Sequence, residues 1–265
     1  MRYIIDHDLH IHSQLSLCSG DAEQNKDNIL RYGTENGLKH ICITDHFWDE
    51  TVPGASGWYK QQDYAHVSGI LPLPQAEGTV FHFGCETDMD KFFTLGISPE
   101  VMKKFEFIIV PTNHLHMSGF TIDCEKDGSA QGRAKLCVER VHALLDMDLP
   151  FEKIGLAHLT CSLLAPDMDH HDVLDLISDA TLAEMLTRVA QKGAGVELNF
   201  PIKNYEGKEL ERELRLYRIA KDCGCKFYFG SDAHHPGGLA KAMERFALTV
   251  DALGLTEDDK FRPFG

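Results

Sequence analysis

The sequence predicts an α/β protein built on a parallel sheet, in one domain of barrel size. Short apolar runs rich in β-branched residues recur along the chain, as in His40-Ile41-Cys42-Ile43-Thr44 and Phe107 to Val110. Most of the segments between them carry helix signals, and short buried strands alternating with helices read as a parallel sheet. The length, 265 residues, is one that α/β barrels reach as a single domain.

Taken in order, the predicted strands are Tyr3 to Ile5, His40 to Thr44, Thr79 to Gly84, Phe107 to Val110, Ile154 to Ala157, Gly195 to Leu198, and Lys226 to Gly230. Asn28 to Asn36 reads as a helix stopped by Gly37, a residue suited to a C-cap. Arg133 to Leu145 places Leu136, Val141, Leu144 and Leu145 at helical spacing. Thr181 to Lys192 opens on the capping-box pattern Thr181-x-x-Glu184 and stops before Gly193. Glu209 to Cys223 is charged on one side and apolar on the other, and Ala240 to Phe246 reads as a final helix before a short extension. Residues 47–75 and 117–132 show no clear period. Both follow predicted strand ends, so both are expected as substrate-facing loops.

The apolar fraction of 43% suits a globular core. No apolar stretch is long enough to span a bilayer. Asp6, His7 and Asp8 break the N-terminal apolar run at once, so no signal peptide is read and the cytoplasm is the expected location. The eight cysteines form no C-x-x-C pair; several sit in apolar runs, where a free thiol behaves as a small hydrophobe. A net charge of −15 argues against nucleic acid or an anionic membrane as partner. An anionic metabolite stays compatible, because bound divalent cations reverse the local field.

Fifteen histidines direct attention to metals, and they cluster at strand ends. The first run leads into Asp8-Leu9-His10-Ile11-His12. Alternate residues of a strand share a face, so His10 and His12 point the same way. Later runs end in Thr44-Asp45-His46, Cys85-Glu86-Thr87, Thr112-Asn113-His114-Leu115-His116, Ala157-His158, Glu197-Leu198-Asn199 and Ser231-Asp232-Ala233-His234-His235. A parallel barrel gathers its strand C-termini on one face, and a His, Asp and Glu set there suits zinc, manganese or iron rather than calcium. Singly, each of these residues reads as a surface or core side chain. Seven coincidences at one structural position do not.

The run DLHIH, then TDH, a lone Glu, N-H, A-H and GSDAHHP resembles the PHP family, named for polymerase and histidinol phosphatase domains, and most closely its histidinol-phosphatase branch. The likeness covers nearly the whole chain and follows the family's motif order. It implies a distorted TIM-like (β/α)7 barrel with three divalent ions at its C-terminal face. By motif it implies that His10, His12, Glu86 and Asp232 hold one ion. Glu86 then bridges to a second ion held by His114 and His158, and His46 and His234 hold a third. One further ligand is expected from the loop Ser13 to Asp21, where this chain departs from the family's usual His or Asp position. Asp21 is the choice there and Cys18 the alternative; a turn residue and a structural thiol are their blander readings.

Asp8 and Asp45 are candidates to orient ligand imidazoles. His116, Asn199, Lys203, Arg133 and Lys91 are weaker candidates for substrate contact, with surface or loop roles as the blander reading. The resemblance implies hydrolysis of a small phosphomonoester, L-histidinol phosphate being the named candidate, by attack of a hydroxide shared between the Glu86-linked ions, with Asp232 or His234 protonating the leaving group. The competing readings are a phosphodiesterase or exonuclease on short oligonucleotides, a metal-binding module without catalysis, and an amidohydrolase-type deaminase. The ligand motifs and the absence of a basic stripe favour the monoesterase.

Overall fold

A computed structural model describes residues Met1–Phe264. The strands are β1 His7–Ile11, β2 His40–Ile43, β3 His46–Phe47, β4 Val80–Thr87, β5 Phe107–Val110, β6 Ile154–Leu156, β7 Gly195–Leu198 and β8 Lys226–Phe229. All named pairings are parallel, in the order β1-β2-β4-β5-β6-β7-β8, with β3 added beside the end of β4. A parallel bridge between Ile11 and Ala233, just past β8, brings the two edges together. The result is a nearly closed seven-strand barrel, as the alternation of elements predicts.

The helices are α1 Lys26–Glu35, α2 Tyr64–Val67, α3 Pro99–Met102, α4 Cys124–Asp127, α5 Ala130–Asp146, α6 His170–Asp175, α7 Asp179–Lys192, α8 Gly207–Asp222 and α9 Pro236–Leu253. The long ones pack as an outer layer, α5 on α7, α7 on α8, α8 on α9 and α9 on α1. Two buried clusters result. The larger lies between strands and helices; the smaller, Leu9, Cys42, Phe107, Ile109, Ala157, Tyr228 and Phe261, joins non-adjacent strands and therefore fills the barrel interior. Phe261, from the C-terminal extension, closes that interior, its backbone amide bonded to the Phe227 carbonyl at 2.8 Å.

Most boundaries shift by one to three residues from the sequence reading, and three differences matter more. The first strand is His7–Ile11 rather than Tyr3 to Ile5. Tyr3 is still buried, but its hydroxyl donates to the Phe227 carbonyl at 2.8 Å from below the sheet. Ile4 is exposed, so the apolar run is neither wholly buried nor part of the ladder, and the paired residues are the ones that carry the histidines. The α7 cap is Ser178, whose hydroxyl accepts from the Thr181 amide at 3.1 Å, so Thr181 lies inside the helix. The last helix runs much further than Ala240 to Phe246, from Pro236 at its first turn to Gly254, which leaves it with φ 57. The two aperiodic segments hold short helices, α2 in the first and α4 in the second. All eight cysteines are free, and no described helix is long and apolar enough to cross a membrane.

Candidate metal centre

The end of β1 and the turn after β8 build the first corner together. The Asp232 amide donates to the His10 carbonyl at 2.7 Å, and the His12 amide to the Ala233 carbonyl at 3.1 Å. Asp232 sits at φ 53, in the left-handed region that an Asp tolerates better than most residues. This pinning brings Asp232 Oδ1 to 3.4 Å from His10 Nε2 and 3.0 Å from His12 Nε2. The two imidazole nitrogens are 3.1 Å apart. The β1–β2 register shifts between Asp8 and Ile11, the kind of irregularity that re-aims side chains at a barrel rim.

Glu86 lies at the middle. It is on β4, in register with His46 of β3. Its Oε2 is 3.5 Å from His10 Nε2, 3.3 Å from His12 Nε2 and 3.0 Å from His46 Nδ1. Its Oε1 faces the other way, 3.6 Å from His158 Nε2 and 4.0 Å from His114 Nε2. Both oxygens are buried and accept no hydrogen bond, and His46 Nδ1 is buried and unpartnered too. Buried polar atoms normally find partners. Orphaned carboxylate oxygens ringed by imidazole nitrogens are what a divalent cation satisfies, so the donor set fits metal. Ligand atoms gather here in four overlapping groups: His10, His12 and Glu86; Glu86, His114 and His158; His12, His46 and His234; and His10, His158 and Glu197.

The electrostatics agree with this arrangement. Burial alone would raise the Glu86 carboxyl, but His46 and His10 hold it well below the carboxylate range. Burial likewise opposes charge on His10, yet Glu197, Asp232 and Glu86 raise it well above an ordinary imidazole. His12 is pushed up to about 9, against its burial, by Asp232 and Glu86. Burial instead lowers His46 and takes His234 down to about 4, so the site offers both charged and neutral imidazoles, and metal uptake at His10 and His12 would displace protons.

Partners behind the ring nitrogens set the imidazole orientations. Glu197 Oε1 is 2.6 Å from His10 Nδ1. Ser16 Oγ is 2.9 Å from His12 Nδ1 and itself donates to Asp45 Oδ1 at 2.8 Å. Asp88 Oδ2 is 2.9 Å from His114 Nδ1. Each turns Nε2 toward the cluster by holding the hydrogen on Nδ1. Asp88 also accepts from the Tyr59 hydroxyl at 2.9 Å and lies 3.6 Å from buried Arg140. Asp45 therefore acts through Ser16, not on a ring directly. Asp8 touches no imidazole: it accepts from the Ser231 amide at 2.8 Å and the Tyr32 hydroxyl at 3.0 Å, bracing the turn that carries Asp232. The sequence reading missed Asp88, Ser16 and Arg140; only the lone Asp two residues past Glu86 hinted at one of them.

Other sequence candidates fall elsewhere. Asp21 is not brought to the cluster; its Oδ1 accepts from the Glu23 amide at 2.9 Å, closing a turn. Cys18 does reach the site, lining the cavity over the cluster, with its thiol pushed up to about 12 by burial and then by Glu86 and Asp232. His116 lines that cavity too, beside His114. Arg133 is buried in α5 and donates to the Leu115 carbonyl at 2.7 Å and the Leu164 carbonyl at 2.9 Å, so it ties two loops together. Lys203 pairs with Glu244 on the surface, Lys91 lies against Phe92, and Asn199 is half-buried outside the cavity. A cavity of about 480 Å³ opens directly onto Glu86, His46, His114, His158, Asp232 and His234.

No family model matches the chain, and none of the curated proteins matches it in sequence. Its fold is similar to that of histidinol phosphate phosphatase (HISK) from Lactococcus lactis subsp. lactis Il1403, solved with zinc, L-histidinol and phosphate. That match covers 97% of this chain and 98% of the other, with a TM-score of 0.57 and 17% identity. A chain of archaeal ribonuclease P, solved with mature tRNA, aligns over 92% of this chain and 90% of its own at 14% identity and a TM-score of 0.35. At these identities the first likeness is one of fold and the second carries no weight.

Proposed function

We propose that this chain is a metal-dependent phosphoesterase of the polymerase and histidinol phosphatase kind, acting on a small phosphomonoester. One observation carries the reading: Glu86 turns two orphaned oxygens toward separate groups of imidazoles. A carboxylate in that position would supply ligand oxygens to two divalent ions. His10, His12, Asp232 and Glu86 would hold one ion, Glu86, His114 and His158 a second, and His46 with His234 a third, with Cys18 better placed than Asp21 to complete the last. Bound divalent ions supply a water of lowered pKa and positive charge against the phosphoryl oxygens.

The chain's own groups do the rest. Glu197, Ser16 and Asp88 keep three imidazoles aimed, so little reorganisation is needed when charge develops. His234 lines the cavity and has Nδ1 on the Asp232 carbonyl at 2.9 Å, which leaves Nε2 as its free nitrogen. Asp232 Oδ1 already faces His10 and His12, and burial lowers His234 to about 4, so both serve better as ligands than as proton donors to a leaving oxygen. Among the described residues no lysine or arginine lines the cavity. With the acidic chain, that favours one phosphate group on a small molecule over an oligonucleotide backbone. L-histidinol phosphate, the ester of the alcohol seen in the HISK structure, is one named substrate to assay, beside uncharged aryl phosphates.

The test is to strip the protein with a chelator and reload it separately with manganese, zinc and iron. Hydrolysis of an aryl phosphomonoester is then measured beside a bis-aryl diester. No hydrolysis with any metal sinks the proposal and leaves a binding module. A faster rate on the diester moves the assignment to a phosphodiesterase.

A further inference from the structure

The cavity above the metal cluster has a second wall that the hydrolysis of a phosphate does not use. Trp58 and Tyr59 come from the first aperiodic segment and Phe120 from the second, and all three line it. Trp58 stands edge-on to His46, with ring centroids 4.9 Å apart, and edge-on to Tyr59 at 4.8 Å. The Tyr59 and Phe120 rings are 5.5 Å apart. Buried Trp48 backs both, at 5.7 Å from Tyr59 and 5.3 Å from Phe120. Tyr59 is fully buried and its hydroxyl is engaged by Asp88, so it backs the wall and presents no polar end to the cavity. Met117 and Leu163 add apolar surface. Among the described residues the only carboxylates in the lining are Glu86 and Asp232, both part of the metal cluster.

From this we infer a leaving-group subsite for a flat, aromatic and uncharged moiety, seated against Trp58 and Phe120 while its phosphate faces the cluster. The inference rests on the phosphoesterase reading and sharpens it. Aromatic rings attract other rings edge-on or offset, and a mostly apolar cavity of this size with convergent polar groups at one end suits an organic ligand with one anionic end. An ammonium on the leaving group would find no free carboxylate here. The imidazole of L-histidinol meets the first requirement, and its amine does not meet the last. Trp58 and Phe120 are thus specificity-determining residues and leave the chemistry to the cluster.

The experiment is calorimetric binding of phenylphosphonate and methylphosphonate, neither of which can be hydrolysed, to manganese-loaded protein. Phenylphosphonate is expected to bind at least about tenfold tighter. Trp58→Ala and Phe120→Ala should each shrink that advantage while leaving manganese content and methylphosphonate affinity unchanged. Equal binding of the two probes by the parent protein overturns the subsite, as does an advantage that survives both substitutions. Failure of both probes to bind, together with no hydrolysis of any phosphomonoester, overturns the phosphoesterase reading and the subsite with it. Because the parent protein alone supplies the first comparison, a variant that fails to fold does not protect the inference.

Discussion

Glu197 grips two metal-facing elements at once. Its Oε1 lies 2.6 Å from His10 Nδ1, and its Oε2 accepts the backbone amide of His158 at 2.6 Å. A fully buried carboxylate on β7 thereby fixes the ring of one candidate ligand and the backbone of another, at φ 24 for His158. Glu197→Gln keeps the shape and removes the charge. Metal affinity is expected to fall about 10- to 100-fold, as for other partners behind ligating imidazoles. Competitive titration with a chromophoric chelator measures it. An unchanged affinity in a folded variant shows that the carboxylate does no more than pack.

Asp88 joins His114 to the fully buried Arg140, which also donates to the carbonyls of Met89 at 2.6 Å and Thr112 at 2.8 Å. Asp88→Asn leaves that guanidinium without its counter-charge, and breaking a buried pair from one side costs about 3 kcal/mol or more. Tyr59→Phe removes only a hydroxyl from the same carboxylate and should cost about 1 kcal/mol. Urea midpoints for the two variants give the ranking. Equal losses would mean that the charge on Asp88 contributes nothing to stability.

Asp21 tests the weakest ligand assignment. Since its carboxylate caps a turn through the Glu23 amide, Asp21→Ala is expected to leave metal content per chain the same as in the parent. Loss of one ion, read by elemental analysis, would restore Asp21 as a ligand. Cys18→Ser, at the cavity wall, is the parallel measurement.

A pH effect on stability is expected away from the metal centre, at His171 and Glu213, whose Nε2 and Oε2 are 2.8 Å apart. The hydrogen bond to Glu213 raises His171 above its ordinary 6.5. Its contribution is full below that value and is lost as pH rises through the folded-state value. Burial works to raise Glu213, but His170, His171 and Thr160 lower it below its ordinary 4.5. Its contribution is present above that value and lost as pH falls through the folded-state one. The stability gap between parent and His171→Asn should therefore be widest between pH 4.5 and 6.5 and narrow as pH rises above that window. A gap independent of pH, in urea melts across that range, would show that the pair contributes by packing alone.

The strand-end histidines were legible because their chemistry is unusual wherever it occurs. His10, His12, His46, His114, His158 and His234 stood out from the apolar runs before them, and the structure gathers their nitrogens around Glu86 and Asp232. Charge and hydrogen-bonding residues without a distinctive neighbourhood were harder. Arg133 lay near the site in sequence terms, but its donors face carbonyls of two loops. Asp88 and Ser16 carry no pattern of their own, so their roles depended on which ring each would meet.

The order of residue types along the chain by itself determined the α/β class, the recurrence of short buried strands and the supply of metal-capable side chains at their ends. Those follow from local burial and from ligand chemistry, which a linear pattern records. Tertiary structure decided the rest: that β3 pairs with β4 to put His46 beside Glu86, that Glu197 reaches His10 across the barrel, that Cys18 rather than Asp21 faces the cavity, and that two distant loops meet in an aromatic wall. Each of these depends on strand register and loop path. A shift of one residue turns a side chain to the opposite face of the sheet, and no local pattern specifies which partner it will then meet.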